Sequence, residues 1–216
     1  MTQALPLEHR QRLHRRALRL EYFTISWNVV EAAVAIGAGV IAGSVALVGF
    51  GVDSGVEVIS AVGLLWRLRK AGPTATVQEE SAAERRALYV AATFFLLAAY
   101  IIVEAGSALL QGERPETSAA GLMLSVLSLL VMPALAWSKQ RTGREMGSRA
   151  LVADAMETWV CSYLSLALLA GVGLYFLFDW WWADAVGALA MLPVIVWQGW
   201  ETLGAAREHN DHDDPE

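Results

Sequence analysis

Six apolar stretches constrain this chain more than any other feature, because each exceeds the roughly 20 residues a helix needs to cross a bilayer core. They run at 22–42, 44–66, 87–110, 118–138, 150–174 and 180–203. In hydrocarbon every backbone N–H and C=O must be satisfied within the segment, so such stretches are helices. Hydrophobic residues make up 56% of the chain and charged residues 18%, and no polar face interrupts the apolar runs as a soluble core requires. The pattern predicts an all-α integral membrane protein, a bundle of six transmembrane helices. The pieces left over are too short to bury a core of their own. The expected organisation is a basic N-terminal segment at 1–20, a six-helix domain at 21–204 and a short acidic tail at 205–216.

The net charge of -6 is less informative than where the cations fall. Of the 16 Lys and Arg residues, five precede the first stretch, five lie between the second and third, and four lie between the fourth and fifth. Arg114 alone lies in a connection on the other side, and Arg207 follows the last stretch. The positive-inside rule then places both termini in the cytoplasm, with the protein in an inner or plasma membrane. The first 20 residues lack the apolar run and cleavage site of a secretory signal. Leu13, Ala17, Leu18 and Leu20 alternate there with arginines, fitting either a helix lying on an anionic membrane surface or a solvated topology signal. Cys161 is the one cysteine, so no disulfide forms within the chain.

Short connections predict that helices one and two, three and four, and five and six pack as antiparallel neighbours. Trp180, Trp181 and Trp182 suit the outer membrane interface, and Trp66 and Trp137 the inner one.

The second and fifth stretches repeat one another. ALVGFGVDSGVE at 46–57 aligns without gaps on ALVADAMETWVC at 150–161, setting Asp53 against Glu157, Ser54 against Thr158 and Glu57 against Cys161. Residues four apart share a helix face, so Asp53 and Glu57 point together, and Asp154, Glu157 and Cys161 form one stripe. A carboxylate at the bilayer centre costs about 2.5–3.5 kcal/mol even on mild scales. No Lys, Arg or His falls in the middle of a stretch, and the four histidines lie near the ends of the chain. Protons or a bound cation are then the expected compensation. Carboxylates alone suit hard ions, while a thiolate adds preference for zinc or cadmium. Asp53, Glu57, Glu157 and Cys161 supply the four ligands of a tetrahedral zinc site. Flanking Gly49, Gly51, Gly55, Ala153 and Ala155 favour close helix approach.

SVALVGFGVDSGVEVISA followed by ALVADAMETWVCSYLS resembles the second and fifth helices of the cation diffusion facilitator superfamily, proton-coupled exporters of divalent metals. That family carries an Asp or His on each of these helices, followed four residues later by Asp, at a mid-membrane transport site. The resemblance implies that Asp53, Glu57, Glu157 and Cys161 hold the transported metal, with Cys161 standing where the family has Asp. It implies a homodimer, and it points to the short branch without a C-terminal cytosolic domain.

Asp154, Glu31 and Asp184 are auxiliary candidates for a metal or proton path, with Glu31 placed to hydrogen-bond Asn28. His209 and His212 in the tail offer weak metal capture at the cytoplasmic mouth. The expected function is export of a divalent transition metal in exchange for protons, with zinc first and cadmium, cobalt, iron or manganese behind it. The metal is cargo, and no prosthetic group or nucleic-acid partner is expected. A membrane-embedded metal-dependent hydrolase and a metal-binding sensor or accessory protein are the alternatives.

Overall fold

A computed structural model describes residues 7–71, 84–116 and 118–210, with side chains left out at 71, 84–91 and 205–210. The described residues form six helices: α1 Leu7–Ala42, α2 Val45–Ala71, α3 Glu84–Gln111, α4 Ala119–Met146, α5 Arg149–Phe178 and α6 Ala183–Asn210. Each is long and apolar enough to cross a membrane. Large apolar side chains such as Ile41, Leu110, Leu130 and Leu177 face outward, as side chains that meet lipid do.

The helices outrun the apolar stretches. α1 continues unbroken back to Leu7, so the basic segment is not a separate surface helix. Leu13 and Ala17 are buried, and Ala17 packs with Leu64 and Leu151. α4 continues to Met146, where Gly147 takes the left-handed conformation (φ 69°) and donates its N–H to the last turn. That extension brings Lys139 inside a helix. Ser148 then caps α5, its hydroxyl accepting from the Leu151 N–H.

α1 packs on α2, and α4 on α5, as antiparallel hairpins, and α1·α4 and α2·α5 contacts join the two into a four-helix unit. α3 does not pack beside α4 as expected; it pairs with α6 instead. The connection at 112–118 spans up to roughly 23 Å when extended, enough to cross the bundle. The α3–α6 pair meets the four-helix unit along α2 and α5. The start of α1 and the end of α6, together with the α4–α5 connection, the end of α2 and the start of α3, lie at one end of the bundle, here the terminal end.

Glycines set the closest approaches. A Cβ on Gly51 would lie 2.7 Å from Ile36 Cγ1 and 2.9 Å from the Ile36 backbone nitrogen, and one on Gly187 would lie 2.9 Å from the Gly171 Cα. The first seals α1 on α2, the second α5 on α6. At the far end the Asp184 carboxylate caps α2: Oδ1 accepts from Ser44 Oγ at 2.6 Å and Oδ2 from the Val45 N–H at 2.9 Å. Trp180 stacks on Trp182 at that same end, while Lys70 over Trp66 and Arg141 over Trp137 mark the terminal one.

Gly51→Ala is expected to destabilise the bundle by about 1–3 kcal/mol through overpacking. Gly55→Ala, where nothing lies within 4 Å of the new methyl, is expected to leave the thermal midpoint in detergent unchanged.

Candidate functional site

Asp53 and Glu57 are one turn apart on α2 and both are buried. On α5 the expected stripe divides. Glu157 is half-buried and accepts from Ser60 Oγ of α2 at 2.8 Å, whereas Asp154 turns to α4. Asp53, Glu57 and Glu157 line one cavity together with Val56, Ser60, Phe94 and Gln198. It measures about 10 Å³, close to the space one water-sized sphere needs. It lies at the seam between α2 and α5 on one side and α3 and α6 on the other. Phe94 and Glu157 fall on the terminal-end halves of α3 and α5, Ser60 and Gln198 close to the middle of their helices, and Asp53 on the far-end half of α2, so the cavity lies near the middle of the bundle.

Cys161 does not line this cavity; it is buried in the apolar core, with Glu57 nearby. Among the described residues, no three Asp, Glu, Cys or His side chains are drawn close enough to hold one metal ion as they stand. The three carboxylates share a cavity without closing on a point.

Behind the α2–α5 contact lies a second polar cluster that corrects the sequence expectation. A basic residue does sit within a helix: Lys139 is fully buried, ion-paired with Asp154 and within 3.6 Å of Glu21 Oε1. WSKQR reads as the polar start of a loop, yet the α4 backbone continues through it and turns the ammonium inward between α1 and α5. Asp154 is thus answered internally.

Lys139 also donates to Thr158 Oγ1 at 3.3 Å, and Thr158 donates to Glu57 Oε1 at 3.0 Å. Glu57 Oε2 has no hydrogen-bond partner among the described residues, and neither has Gln198 Oε1 on the far wall of the cavity.

The repeat survives in an unforeseen form. Ser54, the counterpart of Thr158, donates to Glu31 Oε2 at 3.0 Å, so each matched hydroxyl serves a buried glutamate. Glu31 also accepts from Trp27 Nε1 at 3.3 Å, and among the described residues neither side-chain polar atom of Asn28, its expected partner, has a hydrogen-bond partner. Glu31 does not line the cavity, although its charge acts on Asp53. Asp184 is committed to the α2 cap. His212 lies outside the described residues, and of His209 only the backbone is described.

Spacing of acids does not reveal Lys139, Glu21, Thr158, Ser60 or Gln198. Two signals were available: the repeat match of Thr158 to Ser54, and Glu21 as an acid close enough to the first apolar stretch to be carried inward by a longer helix.

Fold and site together define an integral membrane protein of six helices with an acid-lined cavity between two helix groups. Residues 22–207 match the cation efflux transmembrane domain, and the chain belongs to that family. It is 28% identical over 172 residues to a protein of Synechocystis sp. named as an uncharacterized transporter, covering 78% of this chain and 56% of that one. It is 26% identical over 166 residues to transmembrane protein 163 of Xenopus laevis, covering 76% and 58% respectively. The chain thus spans a little over half the length of these curated relatives.

Lys139→Met strands Glu21 and Asp154 without their cation and is expected to cost about 3–5 kcal/mol. The triple variant Glu21→Gln/Lys139→Met/Asp154→Asn removes all three charges and is expected to recover most of that loss, read as thermal midpoints in detergent.

Proposed function

We propose that this chain is a secondary transporter that exports a divalent transition-metal cation in exchange for protons. The observation that carries the reading is that Asp53, Glu57 and Glu157 share a small cavity in which, among the described residues, no basic side chain takes part. Such acids in a bilayer need a cation or protons. Lys139, the buried cation nearby, is engaged by Glu21 and Asp154 instead. Membership of the cation efflux family supports the same reading.

Asp53, Glu57 and Glu157 hold the cation in this proposal. The distribution of Lys and Arg supports a cytoplasmic terminal end, and in this proposal the cavity receives its cation from that side. Protons and a divalent cation compete for the same carboxylates, which couples binding of one to release of the other. Helix movement at the seam between α2/α5 and α3/α6 closes the acids on the ion and then exposes them to the far side. Assembly as a homodimer rests on the family resemblance. The thiolate that singled out zinc and cadmium is outside the cavity lining, so the cargo class is a divalent transition metal, zinc included.

The test is metal uptake into proteoliposomes under an imposed pH gradient, comparing the native chain with Asp53→Asn and Glu157→Gln. Removing groups that merely support metal ligands costs about 10–100-fold in affinity or activity, and each of these variants is expected to lose at least that much. Gradient-independent flux, or equal flux in all three proteins, contradicts the proposal.

A further inference from the structure

Gln198 of α6 lines the cavity with the acids, is 8% exposed, and among the described residues its Oε1 has no hydrogen-bond partner. Its position follows from packing. Next to it, Gly199 lets α6 approach α3 so closely that an added Cβ would lie 3.2 Å from Phe95 Cζ and 3.3 Å from Phe94 Cβ. That approach brings the neighbouring amide to the same cavity wall as Phe94. Glu57, 6% exposed, presents a second oxygen with no N–H or O–H partner among the described residues, because the Thr158 hydroxyl takes Oε1 and leaves Oε2; the Cys161 thiol also lies within reach of this carboxylate.

Leaving a buried acceptor unsatisfied costs about 1–3 kcal/mol. Two such oxygens, on helices of different groups, line a cavity with room for one small occupant. Both are acceptors, and so are the carboxylates of Asp53 and Glu157, so the occupant they fit is electropositive.

We propose that Gln198 is a cation ligand added by α6 to the acids of α2 and α5, making a site of oxygen donors only. This rests on the reading that the cavity binds the transported cation, and it narrows the class of that cation. Carboxylate and amide oxygens suit hard and borderline ions such as Mn²⁺, whereas Cd²⁺ gains most from sulfur. Gln198 adds a donor without adding a fourth negative charge, and it links cation binding directly to the α3–α6 pair.

Calorimetry with Mn²⁺ and Cd²⁺ on the detergent-solubilised full chain tests this, using Gln198→Leu, Gln198→Glu and Cys161→Ser. Gln198→Leu is expected to weaken Mn²⁺ binding about tenfold, the equivalent of roughly 1.4 kcal/mol. Gln198→Glu keeps an oxygen and is expected to bind Mn²⁺ at least as tightly as the native chain. Cys161→Ser is expected to leave the ratio of Cd²⁺ to Mn²⁺ affinity within about threefold. If Gln198→Leu folds and binds Mn²⁺ as the native chain does, Gln198 holds only water and the proposal falls. If Gln198→Leu does not fold, Gln198→Glu decides, and weaker binding than native overturns the proposal. A selective loss of Cd²⁺ affinity in Cys161→Ser returns the thiol to the site and overturns the all-oxygen set. A native chain that binds neither ion defeats the underlying transport reading instead.

Discussion

A carboxylate kept from water needs a positive partner, and the arrangement of this bundle follows from how its buried acids are answered. Asp154 and Glu21 are answered by Lys139 within the chain, tying α5 and α1 to α4. Glu31 is answered by neutral donors, Ser54, Trp27 and Ser128. Asp184 is answered by the open N-terminus of α2, where unpaired N–H groups and the helix dipole favour an anion. Asp53, Glu57 and Glu157 remain, with Glu57 and Glu157 each receiving one hydroxyl and no ammonium. Those three line the cavity.

This division matches the packing. The four helices α1, α2, α4 and α5 are joined by the glycine approaches at Gly51 and Gly143 and by the Lys139 cluster, while Gly171 and Gly187 also bring α5 and α6 together. The α3–α6 pair meets that unit along a seam, and the cavity sits in the seam. Fixed charges stabilise what stays together, and the unanswered acids lie where two groups of helices meet. Thr158 connects the two regions: the Lys139 ammonium donates to its hydroxyl, which in turn donates to Glu57 and holds that side chain with one oxygen free.

Much of this was legible in the sequence, because membrane burial writes itself as long apolar runs. The six helices, the acids of the second and fifth, and the repeat relating them all followed from hydropathy and spacing. The helix ends did not. A helix that continues past the hydrocarbon into polar sequence leaves no hydropathy signal, and Lys139 was read as part of a loop for that reason. The error carried a consequence, since it removed the internal cation that answers Asp154. The pairing of α3 with α6 was hidden because a connection of that length fixes no neighbour. Cys161 followed the stripe rule onto the face of Glu157; Glu157 turns to Ser60 and the cavity, while the thiol sits in the core within reach of Glu57. Helical spacing assigns a face only to within a broad arc, and neighbouring helices decide what fills it. Gln198 carried no signal at all, being a single neutral amide in a helix where only the acids drew the reading.

The central claim is that Asp53, Glu57 and Glu157 form the cation site, and the most direct measurement is anomalous X-ray scattering from crystals of the full chain soaked in Mn²⁺ or Zn²⁺. The account predicts one peak inside the bundle, between α2 and α5 and bounded by these three carboxylates, that disappears in Asp53→Asn. Peaks confined to the surface or to the Lys139 cluster, with none at the three acids, would contradict it.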